Sequence, residues 1–326
     1  MIQGLLPGWP WGARAKSGTL ALTLNDQAMR YVLASEAGER GATLVSWGVE
    51  ARGNSTREAF MKRVKSALPM AAHTVAVLDS RDYQIMQLES PNVPAEELRG
   101  AVRWRAMEFL EGSPHDYTLD VLNVPAEGAR AGHVIAVIAH NNVIRDRMLE
   151  AESLGHPLSV VDVVETSQRN LLHAVMLGEQ AADNVVATLV ADGGRALMVV
   201  AAKGQLQFFR RFEFDIDMLA VPVDGAESAL IAASTEVETV SRSLTQLHRS
   251  LDLWEDTHPN LPLSSLRVHA GAKTDAIVDR LRSETGLETK AFSLASIFKA
   301  PPSKAVPPWL DTAYLPLLGA LLRPAS

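Results

Sequence analysis

Two stretches of this chain, 166 residues apart from Asp26 to Asp192, carry the same short pattern. In "LALTLNDQAMRYVLA" (20–34) an apolar run enters an acidic turn and leaves as a second apolar run, with Asp26 six residues after Leu20. In "TLVADGGRALMVVAAKGQLQFFRR" (188–211) the pattern returns, with Asp192 six residues after Val186 and a further turn at Lys203-Gly204 leading to a third strand. Apolar runs joined by a short Asp/Gly turn read as hairpins. Solenoid repeats recur every ~20–50 residues, so an echo at this distance points to two duplicated lobes. The 326 residues are long enough for two packed cores.

Bulk properties remove several classes of function. A net charge of -7 and a pI near 5.7, with 31 basic residues scattered along the chain, give no general attraction to nucleic acid or anionic lipid. The absence of cysteine excludes disulfides, thiolate zinc sites and a cysteine nucleophile, and suits a reducing compartment. No apolar stretch approaches the roughly 20 residues of a membrane-spanning helix. The opening "MIQGLLPGWPWG" has no basic start and carries Pro7 and Pro10, so it reads as an N-terminal tail (1–17), with a cytoplasmic chain behind it.

Along the chain, strands and helices alternate. Residues 18–25, 29–35 and 42–49 form a three-strand meander, and Ser55-Thr56-Arg57-Glu58 matches a capping box for a helix that buries Phe60, Val64 and Leu68. After a buried strand at 74–78 the pattern changes. Residues 81–155 hold an alternating strand, a helix opened by Pro94 with Leu98, Val102 and Phe109 on its inner stripe, two more strands and a closing helix, enough for a small α/β subdomain. The second half contains a long helix opened by Thr235-Glu236-Val237-Glu238. Its seam of Val237, Val240, Leu244, Leu247, Leu251 and Trp254 runs to His258-Pro259 and reads as core.

The chemical motifs are few. No G-x-S-x-G, H-E-x-x-H or G-x-G-x-x-G occurs, and Gly271-Ala272-Lys273-Thr274 imitates a phosphate loop without its glycines. No histidine pair has metal-ligand spacing, and no catalytic set is assigned. One helix face offers Arg99, Arg103, Trp104 and Arg105 to a partner, or equally is a solvated basic face. Arg210 and Arg211 at a strand end read as structural or surface residues.

Four segments together resemble a known family: "DYQIMQLESPNVPAEELRGAVRWRAMEFL", "GQLQFFRRFEF", "RSLDLWE" and "YLPLLGALLR". The chain is similar from about Gly18 to Arg323 to the MshI family of MSHA pilus biogenesis, relatives of the type IV pilus protein PilM, most specifically at "ELRGAVRWR". The resemblance implies an actin-like fold, ribonuclease H-like and duplicated, whose two α/β lobes carry a small inserted α/β subdomain. On that template lobe 1 covers 18–80 and 156–184, the insertion 81–155 and lobe 2 185–308, and residues 309–326 return to lobe 1. It further implies a scaffold on the cytoplasmic face of the inner membrane that grips an N-terminal peptide of a PilN-like membrane partner and can self-associate.

The same resemblance implies ATP with Mg2+ between the lobes, where two acidic glycine turns face the phosphates and a third glycine turn holds the adenosine. Asp192, Gly193 and Gly194 match the second turn and Gly271 the adenosine turn. The first turn has become Asn25-Asp26-Gln27, without the glycine that lets backbone amides approach a phosphate. The expectation is therefore a non-enzymatic scaffold whose Asp192 turn is a hairpin first. Its alternatives are an ATP-binding switch or ATPase, a GspL-like secretion component, and a relative of sugar or acetate kinases. The peptide groove is expected between the inserted block and lobe 1, with Trp104 and its flanking arginines at the rim.

Overall fold

A computed structural model describes residues 18–124, 132–220, 232–302 and 306–323, with the backbone alone at 123 and 232–238. The N-terminal tail and the capping-box side chains at 235–238 lie outside the described residues.

The meander forms as β1 (Thr19–Leu24), β2 (Ala28–Gly38) and β3 (Gly41–Ala51), all antiparallel. Helix α1 (Arg57–Ala67) follows and buries Phe60 and Val64. Its cap is Thr56, whose Oγ1 accepts the Ala59 amide at 3.3 Å. The capping box expected from Ser55 is not formed, because the Ser55 hydroxyl instead accepts a hydrogen bond from Arg63. Strand β4 (His73–Val77) then runs parallel to β1.

An inserted block follows: β5 (Gln84–Glu89), α2 (Ala95–Ala106), β6 (Tyr117–Val124), β7 (His133–His140) and α3 (Asn141–Ser153). Its sheet has the order β5-β7-β6. The expected inner stripe of α2 ends early. Val102 is buried, but past Ala106 the chain tightens into a single 3-10 turn at Met107–Phe109, which swings Phe109 outward to 63% exposure. The chain returns through β8 (Val160–Asp162), parallel to β4, and α4 (Val164–Gly178).

The second meander is β9 (Val185–Asp192), β10 (Arg195–Ala202) and β11 (Gln205–Glu213). After it come the short α5 (Ile216–Leu219), α6 (Ala232–Thr257), β12 (Ser265–His269), α7 (Thr274–Thr285) and β13 (Thr289–Ala291). In α6 Leu244, Leu247, Leu251 and Trp254 are buried against lobe 2, as the heptad-like spacing predicts. Strand β14 (Phe298–Lys299) and α8 (Leu315–Leu321) end the described chain.

The two large sheets share one connectivity. In the first the order is β3-β2-β1-β4-β8, with β14 on the outer edge of β3; in the second it is β11-β10-β9-β12-β13. Each has an antiparallel meander whose first strand lies parallel to a fourth, with a fifth beyond it. Leu20–Leu24 and Val186–Val190 occupy equivalent central strands of separate sheets. Helices α4 and α8 fill the space between the sheets, in a core that joins Ala21 and Val75 of the first to Val186 and Ala201 of the second. Buried polar bonds cross it as well: Gln168 on α4 donates to Thr188 at 2.6 Å and to the Leu197 carbonyl at 3.1 Å.

Candidate functional site

The ends of β1, β4, β9 and β11 open onto a cleft of about 720 Å³ between the lobes, lined by Asn25, Arg30, Asp79, Arg81, Asp192, Arg195 and Arg211 among others. Beside it lies a pocket of about 700 Å³ that brings together Asp192, Gly193, Gly194 and Gly271, all four residues the sequence assigns to a cofactor, with Asp215, Asp217, Lys273 and Asp311. The Asp192 turn is a two-residue hairpin loop, with Gly193 at φ 54° and Gly194 at φ 79°. Positive φ at both positions is the type I′ geometry that matches strand twist and favours glycine. A Cβ on either glycine would meet nothing within 4 Å, so backbone conformation alone calls for these glycines.

The turn at Gly271, φ 57°, is fixed from both sides. His269 donates Nε2–H to the Trp309 carbonyl at 2.9 Å and accepts the Gly271 amide on Nδ1 at 3.3 Å, which defines the neutral imidazole tautomer. Burial holds its pKa below the ordinary imidazole value, against the opposing Trp309 bond.

The two turns differ in what they offer a magnesium nucleotide. At the first turn, Asn25 Oδ1 accepts the amides of Gln27 and Ala28, both at 3.0 Å, so the turn spends these two donors on itself and turns neither to a phosphate. Asp26 points outward to Arg57 at 2.7 Å. Asp79, the acid at the end of the strand beside it, is held by Arg81 at 3.0 and 3.1 Å, and that pairing draws its pKa below the usual carboxylate value. Among the described residues no cluster of three or more metal-ligating side chains occurs. Of the two acidic glycine turns that the resemblance implies, the second is built as a glycine hairpin and the first is not.

At the cleft wall Arg211 joins a buried set of residues that sequence reading does not assemble. Arg211 reaches from β11 to the opposite lobe, where it donates to the Tyr83 hydroxyl at 2.6 Å, pairs with the Glu165 carboxylate and lies 5.3 Å from the centre of the Tyr83 ring. Tyr83 in turn donates to Glu165 at 2.6 Å and accepts the Val164 amide at 3.2 Å. Burial, reinforced by the Glu165 charge, raises the Tyr83 pKa. Tyr83 and Glu165 stand 82 residues apart and Arg211 a further 46 along, so no local spacing signals the trio.

The inserted block presents two faces. Leu119 and Val121 of β6 with Val134, Ala136 and Ile138 of β7 pack under α2, whereas Leu122 and Val124 with Ile135 and Val137 turn to the other side, as strand alternation requires. On that other side the block packs on Leu197, Val199 and Leu206 of lobe 2, and His133 donates to the Gln207 carbonyl at 3.2 Å. The block therefore bridges both lobes. Between it and lobe 1 opens a groove of about 290 Å³ lined by Asp120, Leu122, Val137, Val161, Asp162, Val163, Thr166, Arg169, Asn170 and Arg323.

Two strand edges border this groove, β6 from the small sheet and β8 from the large one. Asp162 Oδ2 and Arg169 Nε are buried there without a hydrogen-bond partner among the described residues, and Arg323 stands 3.8 Å from Asp162, too far to satisfy it. Burial also lowers the Arg169 pKa, against the attraction of Asp162.

The expected rim residues do not line this groove. Helix α2 covers the opposite face of the small sheet, so Trp104 is 68% exposed on the outer side of the block. The three arginines staple the block internally. Arg99 donates to the Leu119 carbonyl at 2.9 Å, Arg103 to those of Pro114 at 2.7 Å and Tyr117 at 2.6 Å, and Arg105 reaches the Glu89 carbonyl and carboxylate, both at 3.2 Å. Spacing alone identifies a shared basic face but not these backbone acceptors, which come from loops and strands up to 20 residues away.

No protein-family model matches the chain, and no curated protein matches it. Solved structures do. A chain of the PilM-PilN type IV pilus biogenesis complex is 15% identical, with 94% of this chain and 98% of that one aligned at a TM-score of 0.66. The fold is actin-like, of the PilM type. The cytoplasmic domain of EpsL, an inner-membrane component of the type II secretion system of Vibrio cholerae, aligns over 94% of this chain and 95% of its own at 12% identity and a TM-score of 0.46. A Bacteroides thetaiotaomicron protein of actin-like ATPase fold and unknown function aligns over 94% and 99% at 8% identity, also at 0.46. In this fold the duplicated sheets supply the cleft and the insertion supplies the groove. No helix among the described residues is long and apolar enough to cross a membrane.

Proposed function

We propose that this chain is a non-catalytic scaffold of a type IV-like pilus assembly apparatus, of the MshI kind that serves MSHA pili. In this reading it works on the cytoplasmic face of the inner membrane, recruited by an extended N-terminal peptide of a PilN-like membrane protein. The observation that carries the reading is the groove between the inserted block and lobe 1. It offers two strand edges to an extended backbone, apolar walls at Leu122 and Val137, and a buried acceptor and donor, Asp162 Oδ2 and Arg169 Nε, that have no hydrogen-bond partner among the described residues. Buried polar atoms are almost always bonded, and a peptide adding to a sheet edge brings amides and carbonyls of its own.

The test is fluorescence anisotropy with a labelled N-terminal peptide of the PilN-like protein. Leu122→Arg and Asp162→Asn are expected to weaken binding at least about tenfold, roughly 1.4 kcal/mol, while Trp104→Ala on the outer face stays within about twofold. Thermal melting checks the fold of each variant. A wild-type chain that does not bind the peptide, or a Trp104→Ala loss larger than that of Leu122→Arg, overturns the assignment of the groove.

A further inference from the structure

We infer that the two lobes are held closed by the chain's own side chains, through an Arg211-centred latch across the cleft, so that closure needs no magnesium nucleotide. The inference stands on the cleft alone and is independent of what occupies the groove. Arg211 belongs to lobe 2; among the described residues its side chain bonds to Ser80 and Tyr83, at the root of the inserted block, and to Glu165 in the first turn of α4, the helix between the sheets. Glu165 sits wholly buried in the first turn of α4, and Arg211 is its ion-pair partner among the described residues. Moving the lobes apart would strand a buried carboxylate without its cation, a change far more costly than breaking a surface pair.

The Tyr83 hydroxyl donates to Glu165 and accepts from Val164 and Arg211, which uses its full hydrogen-bonding capacity. A nucleotide bridging the cleft would have to find amides at both turns. At the first turn Asn25 takes the amides of Gln27 and Ala28, and the acid next to them is taken by Arg81. The chain thus has its own bridge between the lobes and lacks, at Asn25-Asp26-Gln27, the glycine turn that a bridging phosphate would use. Val164 lines the cleft, and Val163 and Thr166 line the groove, so the helix turn that the latch grips is a wall common to both.

The absence of cysteine allows a direct measurement. Spin labels at Glu36→Cys on β2 and Glu284→Cys on α7, both exposed, report the distance between lobes by double electron–electron resonance. The expected result is one narrow distance distribution that millimolar ATP with Mg2+ does not move, broadening to longer distances in Arg211→Ala. Arg211→Lys keeps the charge but not the fork of donors and is expected to fall between the two, which preserves the test if Arg211→Ala does not fold. A distribution in the wild type that narrows or shortens with ATP and Mg2+ overturns the inference, as does an Arg211→Ala or Arg211→Lys chain with the wild-type distribution. The labelled chain is measured without any peptide, so failure of peptide docking leaves this result untouched.

Discussion

His269 shows how one side chain sets a pH dependence. Its Nε2–H is committed to the Trp309 carbonyl and its Nδ1 to the Gly271 amide, so protonation would remove the acceptor that holds the turn. Burial depresses its pKa below the ordinary 6.5, and the same holds for His133 and His173. The sign follows from proton counting. Below about 6.5 the unfolded chain takes up protons that the folded chain refuses, so stability is fully present above that pH and falls as pH drops toward the folded values. Asp79 adds a second loss on the acid side of its ordinary 3.8, where protonation breaks its pair with Arg81. Urea midpoints are therefore expected to fall from pH 7.5 to 5.5, and His269→Gln should flatten part of that slope. A wild-type midpoint unchanged across that range would contradict the neutral assignment of all three imidazoles.

At the scale of elements the decisive contact is the crossing of α4 and α8. A Cβ on Gly319 would collide with the Ser167 carbonyl and come within 2.8 Å of the Ser167 Cα, and Asn170 donates to the Gly319 carbonyl at 3.0 Å. Backbone cannot yield as a flexible side chain does, so Gly319→Ala is expected to destabilise by about 3 kcal/mol, read from the urea midpoint, despite alanine's better helix propensity. A loss under about 1 kcal/mol would mean that the two helices are not in contact as described. The sequence shows "YLPLLGALLR" as an apolar segment, yet the need for glycine appears only when α4, some 150 residues earlier, is laid against it. Where periodicity acts alone it reads well, as in the α6 seam and the twin hairpins of β1–β2 and β9–β10. It fails where local geometry changes, at Phe109 past the end of α2 and at the Thr56 cap, because a 3-10 turn and a competing Arg63 bond leave no periodic trace.

For the whole molecule, what matters is how the lobes are joined. The glycine turns at Asp192 and Gly271 are visible in the sequence, and folding brings them to one pocket; Tyr83, Glu165 and Arg211 meet only through the duplicated topology and the insertion, beyond the reach of any spacing rule. The latch makes a prediction that separates a buried pair from an ordinary surface one. Arg211→Ala leaves Glu165 buried and unpaired, and removing one partner of a buried pair typically costs about 3–5 kcal/mol; because Arg211 is about one-third exposed, the expected loss is about 2–3 kcal/mol. Replacing Glu165 by leucine as well removes the stranded charge and leaves a packed apolar group in its place. The double variant Glu165→Leu, Arg211→Ala should therefore be more stable than Arg211→Ala alone, with a coupling energy of about 1 kcal/mol or more in the cycle. Denaturant midpoints of the wild type, both single variants and the double variant provide the measurement. Additive losses would show that Arg211 and Glu165 do not depend on each other, and that the lobes are held by the apolar core between α4, α8 and the two sheets.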